Sequence, residues 1–385
     1  MVSRVLDRNV IDRSRGRSRT WVDVVAHVDV LLVAVTLTVS ALGVLMVYSA
    51  TRAQLVHQGS NPLHYLERQA VYSLLGLAVM VVIAAIDYHH FEVLGYAVLG
   101  LVVVGLLAVF AIGHSALGAQ RWIQVGPVQI QPSAFAALAL VLAVAAYCHR
   151  HREEGLTPRR VAALMVMAAI PAVLVVKQPD LGSAIIMVVV LIAMLVVAGV
   201  KARYLAILGV LGVVGIVAVL NLGLLKAYQV QRLNFIHPTA HTATAYTLKQ
   251  SKIAIASGNL TGTGLFDGTQ TNLGYVPEQY TDFIFTAVGE QLGFAGAASL
   301  LGLFAIMVWR LLRAAQMARD QYGRLLCAGV LAFVGFSVFQ NAGMTMGIMP
   351  ITGIPLPFVS YGGSATIAFF AAIGLALNVG MRRLR

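Results

Sequence analysis

Ten apolar runs divide this chain, at about residues 29–48, 69–86, 92–112, 133–148, 161–176, 183–200, 204–222, 283–309, 325–348 and 363–380. Runs of ~20 apolar residues cross a bilayer as helices, because hydrocarbon offers no partner to a backbone N–H or C=O and a helix pairs its own. Only 11% of the 385 residues are charged and the mean hydropathy is +0.83, values foreign to a soluble domain. The pattern predicts an all-α polytopic membrane protein of ten transmembrane helices, with a large extracytoplasmic loop between helices 7 and 8. It divides into a basic tail (1–28), a membrane domain (29–380, with the loop at 223–282) and a short basic end (381–385). The arginine-rich tail is too long and polar for a cleaved signal peptide, so the first span is expected to stay.

Charge orients the runs. With the N-terminus inside, 19 of the 27 Lys and Arg fall in cytoplasmic segments; the opposite orientation inverts that bias. Both termini are therefore expected in the cytoplasm. A net charge of +12 also fits a nucleic-acid binder. Here the arginines adjoin apolar runs instead of sharing one soluble face, so membrane lipids, not nucleic acid, are the expected partners. Cys148 and Cys327 fall at cytoplasmic ends of runs, where no exported disulfide forms. His89-His90 and His149-x-His151 read as solvated loop residues, and no spacing marks a metal site.

Acids on the outer side are few: Glu67, Asp180, Asp267, Glu278, Asp282, and Glu290 inside the following run. Asp282 closes a 60-residue polar loop directly before an apolar run, where a carboxylate is expensive to keep and reads first as chemistry. Thr281 beside it is placed to cap the helix. Glu290 must face protein or a water-filled cavity, as an interhelical bond or a functional acid. Asp180 follows Pro179, and helix capping alone would account for it. Arg121 and Trp122 stand together in an outer loop, suited to a phosphate and a sugar or, for Trp122, to the interfacial belt. Arg232, Lys249 and Lys252 lie in the large loop, where residues 246–257 suggest a helix stopped by Gly258 at C′. Gly258, Gly262, Gly264, Gly268 and Gly274 predict backbone able to approach a ligand closely. An aromatic platform, several cations and one lone carboxylate suit a polyanionic lipid that carries a sugar.

Six motifs occur in order: Arg121-Trp-Ile, Gln131-Pro-Ser133, Gln178-Pro-Asp-Leu-Gly182, Gly268-Thr-Gln270, Val276-Pro-Glu-Gln-Tyr-Thr-Asp-Phe-Ile-Phe285 and Pro355-Leu-Pro-Phe-Val-Ser-Tyr-Gly-Gly-Ser364. Together they resemble the shape, elongation, division and sporulation (SEDS) family, from about residue 28 to 380, and its rod-shape branch more than its division branch. The resemblance implies a peptidoglycan glycosyltransferase that polymerises lipid II during cell elongation beside a class B penicillin-binding protein, a transpeptidase. It implies Asp282 as general base and puts the family's loop arginine and tryptophan at Arg121 and Trp122; beside these, Asp180, Arg232, Lys252, Gln270, Glu290 and Ser360 are our own substrate-binding candidates. A divalent cation, Mg or Mn, could accompany the pyrophosphate, but the sequence carries no dedicated ligand set. Ala134 and Ala137 replace a glutamate and lysine usual in the family, and Tyr280 stands where histidine is common. Alternative readings are a lipid II transporter (flippase) and a non-catalytic scaffold for the penicillin-binding protein. A transporter needs a polar path, whereas the cytoplasmic halves of these runs are almost wholly apolar.

Overall fold

A computed structural model describes residues 27–116, 119–126, 128–221 and 242–383. In chain order these form α1 (Val30–His57), α2 (His64–Ala85), α3 (His89–Ile112), β1 (His114–Ala116), β2 (Ala119–Val125), β3 (Val128–Ile130), α4 (Pro132–Arg150) and α5 (Pro158–Lys177). There follow α6 (Leu181–Val197), α7 (Ala202–Asn221), α8 (Ala243–Ser257), α9 (Thr269–Asn272), α10 (Ile284–Met317), α11 (Gln321–Met346) and α12 (Gly363–Met381). Each of the ten apolar runs falls on a helix. Among the described residues, eight helices (α1 to α5 and α10 to α12) are long and apolar enough to cross a membrane. α6 is apolar but shorter.

The helices sort into an inner and an outer set. In their most apolar stretches α4, α11 and α12 are 78%, 72% and 78% buried, against 22–28% for α2, α3 and α5. The outer helices present Leu74, Val93 and Leu101 outward. Such faces are stable against lipid and not against water. α2 packs along α12, α3 along α4, and α10 against both α11 and α1. Cys148 and Cys327 are buried free thiols.

Local chemistry sets the helix ends. The Asp29 carboxylate accepts from Leu32 N at 3.0 Å to start α1, and Asp320 accepts from Gly323 N at 2.6 Å to start α11. α4 and α5 open on proline, which lacks the amide that a first turn leaves unpaired. α11 stops at Gly347, in the left-handed region with φ 77°.

Three features depart from the sequence reading. First, the expected outer loop at 49–68 is mostly helical: α1 runs on to His57 and α2 begins at His64. The apolar criterion stops at the first polar residues, yet Ala, Arg, Gln and Leu at 50–55 are good helix formers. Second, the run at 283–309 is interrupted. Gly293 has φ 65° and ψ −166°, which divides α10 into a short limb, 284–292, and the long helix beyond. Third, the loop before α4 is a three-stranded antiparallel sheet, β1-β2-β3, in which Trp122 lies opposite His114 and Ile123 opposite Ile130.

Candidate functional site

Asp282 sits half-buried in a turn between α9 and α10, and one carbonyl organises that turn. Glu278, at φ 50°, accepts through its backbone oxygen from the amides of Thr281 (3.2 Å), Asp282 (3.1 Å) and Phe283 (3.4 Å). The Thr281 hydroxyl donates to the same oxygen at 3.1 Å. Thr281 therefore does not cap the helix as its position promised. Phe283 takes the N-cap place without a side-chain bond. The buried Gln279 amide donates to Thr271 Oγ1 (3.1 Å) and Thr286 Oγ1 (2.9 Å), fixing the turn from below.

A second loop, 355–362, closes on the first. The Tyr361 amide donates to Tyr280 O at 2.9 Å. Asn341, fully buried on α11, donates through Nδ2 both to Asp282 O (2.8 Å) and to Ile354 O (2.7 Å). Ser360 Oγ accepts from Leu356 N at 2.8 Å, and Gln69 Nε2 donates to Ser360 O at 3.3 Å. Over this junction the rings of Tyr65, Tyr280 and Tyr361 gather, with centroids 4.9, 5.1 and 5.7 Å apart. Burial pushes the Tyr280 phenol far above its ordinary range, and a hydrogen bond with Tyr65 adds to the shift. Burial raises Tyr361 as well, opposed by its bond with Arg68. Both phenols are protonated at neutral pH. Burial also raises the Glu278 carboxyl, against the bond from Thr281.

The remaining motifs brace this pair of loops. Arg121 donates from Nε to Gln178 O at 3.0 Å and from a terminal nitrogen to Pro179 O. Asp180, 3% exposed, caps α6 by accepting from Ser183 N (3.2 Å) and Ser183 Oγ (2.8 Å), and accepts from Ser133 Oγ at 2.9 Å. Gln131 N donates to Ser364 Oγ at 2.9 Å, which ties the foot of α4 to the start of α12. Glu290, wholly buried, meets protein: it accepts from Gln270 N (2.7 Å), Thr271 N (3.0 Å) and Thr271 Oγ1 (2.6 Å). Next to it, Gln291 Oε1 accepts from Ser49 Oγ (2.5 Å) and Phe266 N (3.1 Å).

Two glycines of the large loop lie close against protein backbone, whereas Gly274 has open space beside it. A Cβ on Gly258 would run into Gly289 O, and one on Gly262 into Gln291 O. Gly258 ends α8 with φ −70°, so close approach to α10, not a left-handed C′ turn, calls for glycine there. Lys252 is exposed, and its ammonium rests over Gly347 at the C-terminal, negative end of α11. Trp122 is partly exposed on β2. Arg232 lies outside the described residues.

Asn341, Gln69 and Gln279 escaped the sequence reading. The first two did leave a signal, since an amide in an apolar helix is expensive unless bonded. Among the described residues no group of three or more His, Cys, Asp or Glu is arranged to hold a metal ion.

Residues 29–384 match the FTSW_RODA_SPOVE family of cell cycle proteins. The chain is 37% identical over 364 residues to a probable peptidoglycan glycosyltransferase FtsW of Geobacter metallireducens, covering 92% of this chain and 94% of that one. It is 34% identical over 361 residues to the peptidoglycan glycosyltransferase MrdB of Escherichia coli, covering 93% and 94%. The rod shape determining protein RodA of Thermus thermophilus superposes with a TM-score of 0.69 at 28% identity, over 93% of this chain and 98% of that one. A peptidoglycan synthase complex that coordinates polymerization and crosslinking contains a chain that superposes at 0.78, with 29% identity over 93% and 99%. This chain belongs to the FtsW/RodA/SpoVE family, the SEDS family that its motifs resemble.

Proposed function

We propose that Asp282 is the general base with which this chain, a peptidoglycan glycosyltransferase, polymerises lipid II into glycan strands during cell elongation. The carrying observation is the placement of Asp282: a partly exposed carboxylate whose backbone is fixed on both sides, by Glu278 O and by Asn341. It takes the proton from the 4-hydroxyl of the acceptor N-acetylglucosamine. That oxygen attacks C1 of the donor N-acetylmuramic acid, undecaprenyl pyrophosphate leaves with the bonding pair, and the anomeric centre inverts. General-base help supplies about 10²–10⁴-fold. Holding the two sugars in line, and cations facing the pyrophosphate, supply the rest. Lys252 and Arg232 are the proposed pyrophosphate contacts, Trp122 a sugar platform. Arg121, Asp180, Glu290 and Ser360 act as positioning residues, since each side chain already bonds within the protein, and Gln270 contributes its backbone amide to Glu290.

The protein is a multi-pass protein of the bacterial inner membrane. In this reading all ten long helices cross it, both termini are cytoplasmic and Asp282 faces outward. A class B penicillin-binding protein is the proposed partner, supported by likeness to a chain from a complex that also crosslinks. Glu290, an acid inside an apolar run that a transporter could have used, is engaged in bonding the 270–271 turn, which supports the transferase reading.

Purified protein given labelled lipid II tests this. Asp282→Asn should insert and bind lipid II yet lose polymerisation by about a hundredfold or more. Polymerisation retained by that variant removes Asp282 from the mechanism.

A further inference from the structure

At the end of the molecule opposite Asp282, the start of α1 and the ends of α10 and α12 enclose a cavity of about 150 Å³. Its wall includes Asp29, Arg310, Arg313, Met317 and Arg383. Arg310 is engaged, donating to Asp29 Oδ2 from Nε (2.8 Å) and Nη2 (2.7 Å). One acid is thus matched by one of three arginines, and two cations remain. Arg313 is exposed, its guanidinium 5.8 Å from the Trp309 ring centroid. Among the described residues, Arg383 reaches only the Met317 thioether, at 3.6 Å, and its Nε is buried without a partner. A thioether is a weak acceptor, so this guanidinium lacks the oxygen ligand that its planar fork fits best.

The surroundings identify the anion. Trp309, Leu312 and Met317 are 50%, 42% and 42% exposed beside the arginines, on a helix able to cross a membrane. A tryptophan with cations over its ring marks the level of lipid headgroups. A phosphate here would have apolar surface leading away from it along α10. The preceding segment is a poor occupant, since residues 1–26 carry six arginines against three aspartates and would be repelled. We propose that this cavity binds the phosphate of an anionic phospholipid headgroup, with Arg313 and Arg383 as its ligands and the acyl chains along α10. The site does not depend on the identity of the catalytic base.

Native mass spectrometry of the purified full chain, offered cardiolipin, phosphatidylglycerol or phosphatidylethanolamine in turn, reads this directly. The anionic lipids should be retained at least tenfold better than the zwitterionic one. R313Q/R383Q should cut that retention at least tenfold, while R203Q, an exposed arginine on α7, should leave it unchanged. Should the double variant melt early, R313Q alone should still lower retention at least threefold. Undiminished retention in the arginine variants overturns the proposal. So does an equal loss in R203Q, which would mean diffuse surface charge. Displacement of the bound lipid by millimolar glycerol 3-phosphate would assign the site to a soluble phosphate instead.

Discussion

Asn341 holds the main-chain oxygen of Asp282 at 2.8 Å and, with the same amide nitrogen, that of Ile354 at 2.7 Å. One buried side chain on an inner helix thereby fixes the spacing between the turn that carries the carboxylate and the loop that closes over it. Asn341→Leu leaves two carbonyls without a donor, at about 1–3 kcal/mol each. The variant should melt earlier in detergent and turn over lipid II more than about tenfold more slowly, because the base is displaced more than the substrate. Wild-type turnover by a correctly folded Asn341→Leu would deny the residue any positioning role.

Glu278 lies four residues before Asp282, and burial raises its carboxyl above the ordinary value of 4.5. A raised acid keeps its proton longer in the folded state than in the unfolded chain. Its contribution is therefore full at low pH and is lost as pH rises from the ordinary value through the raised one. Glu278→Gln cannot titrate, so its melting temperature should gain on wild type as pH climbs through that window and then hold a constant lead. Polymerisation should stay within about tenfold of wild type, since Glu278 organises the turn through its backbone carbonyl. Loss of activity in Glu278→Gln beside an active Asp282→Asn would exchange the two roles.

Ala137 is 4% exposed in the core and Ala134 partly exposed one turn earlier on α4. Ala137→Lys places an unpaired cation among apolar helices and should destabilise by about 3 kcal/mol or more. Adding Ala134→Glu supplies the i, i+3 partner and should recover at least half of the loss. Equal melting of the single and double variants would show that the two positions do not meet.

Orientation is open to chemical labelling. Single cysteines at Ser60 and Thr261, both exposed, should react with an impermeant maleimide added to cells, after Cys148 and Cys327 are replaced. One at Glu153, on the opposite side of the charge count, should not. These positions avoid Gly59 and Gly155, whose φ angles of 67° and 71° strain any side chain. Labelling of Glu153→Cys from outside reverses the topology and moves Asp282 to the cytoplasm.

The apolar runs announced the long helices, since bilayer thickness leaves the sequence little choice. Asp282 also stood out, as one of few outer carboxylates. What composition could not show was where polar side chains finish their bonds. Glu290 and Asp180 looked like site residues because acids are rare here. Asp180 does cap its own helix at Ser183, as its position suggested, but its bond from Ser133 and those of Glu290 from Gln270 and Thr271 come from distant segments, a pairing that no spacing in the chain foretells. Asn341 shows the converse. Its importance lies in two carbonyls, 59 residues before it and 13 after it, which no local pattern marks.

The break at Gly293 bears on how this enzyme meets membranes of different thickness. Residues 284–292 are built into the loop scaffold through Glu290 and Gln291, while the long helix begins again at Phe294. That second limb, about 24 residues and ~36 Å long, is held at its start, where Phe294 N and Ala295 N donate to Asn259 O and Leu260 O, while its far end can lean to match a thinner or thicker bilayer. The limb below the carboxylate is anchored to its own neighbours and need not lean with it. With Asp282 as the proposed base, such a division would shield it from hydrophobic mismatch, and turnover should change little between short-chain and long-chain lipid bilayers.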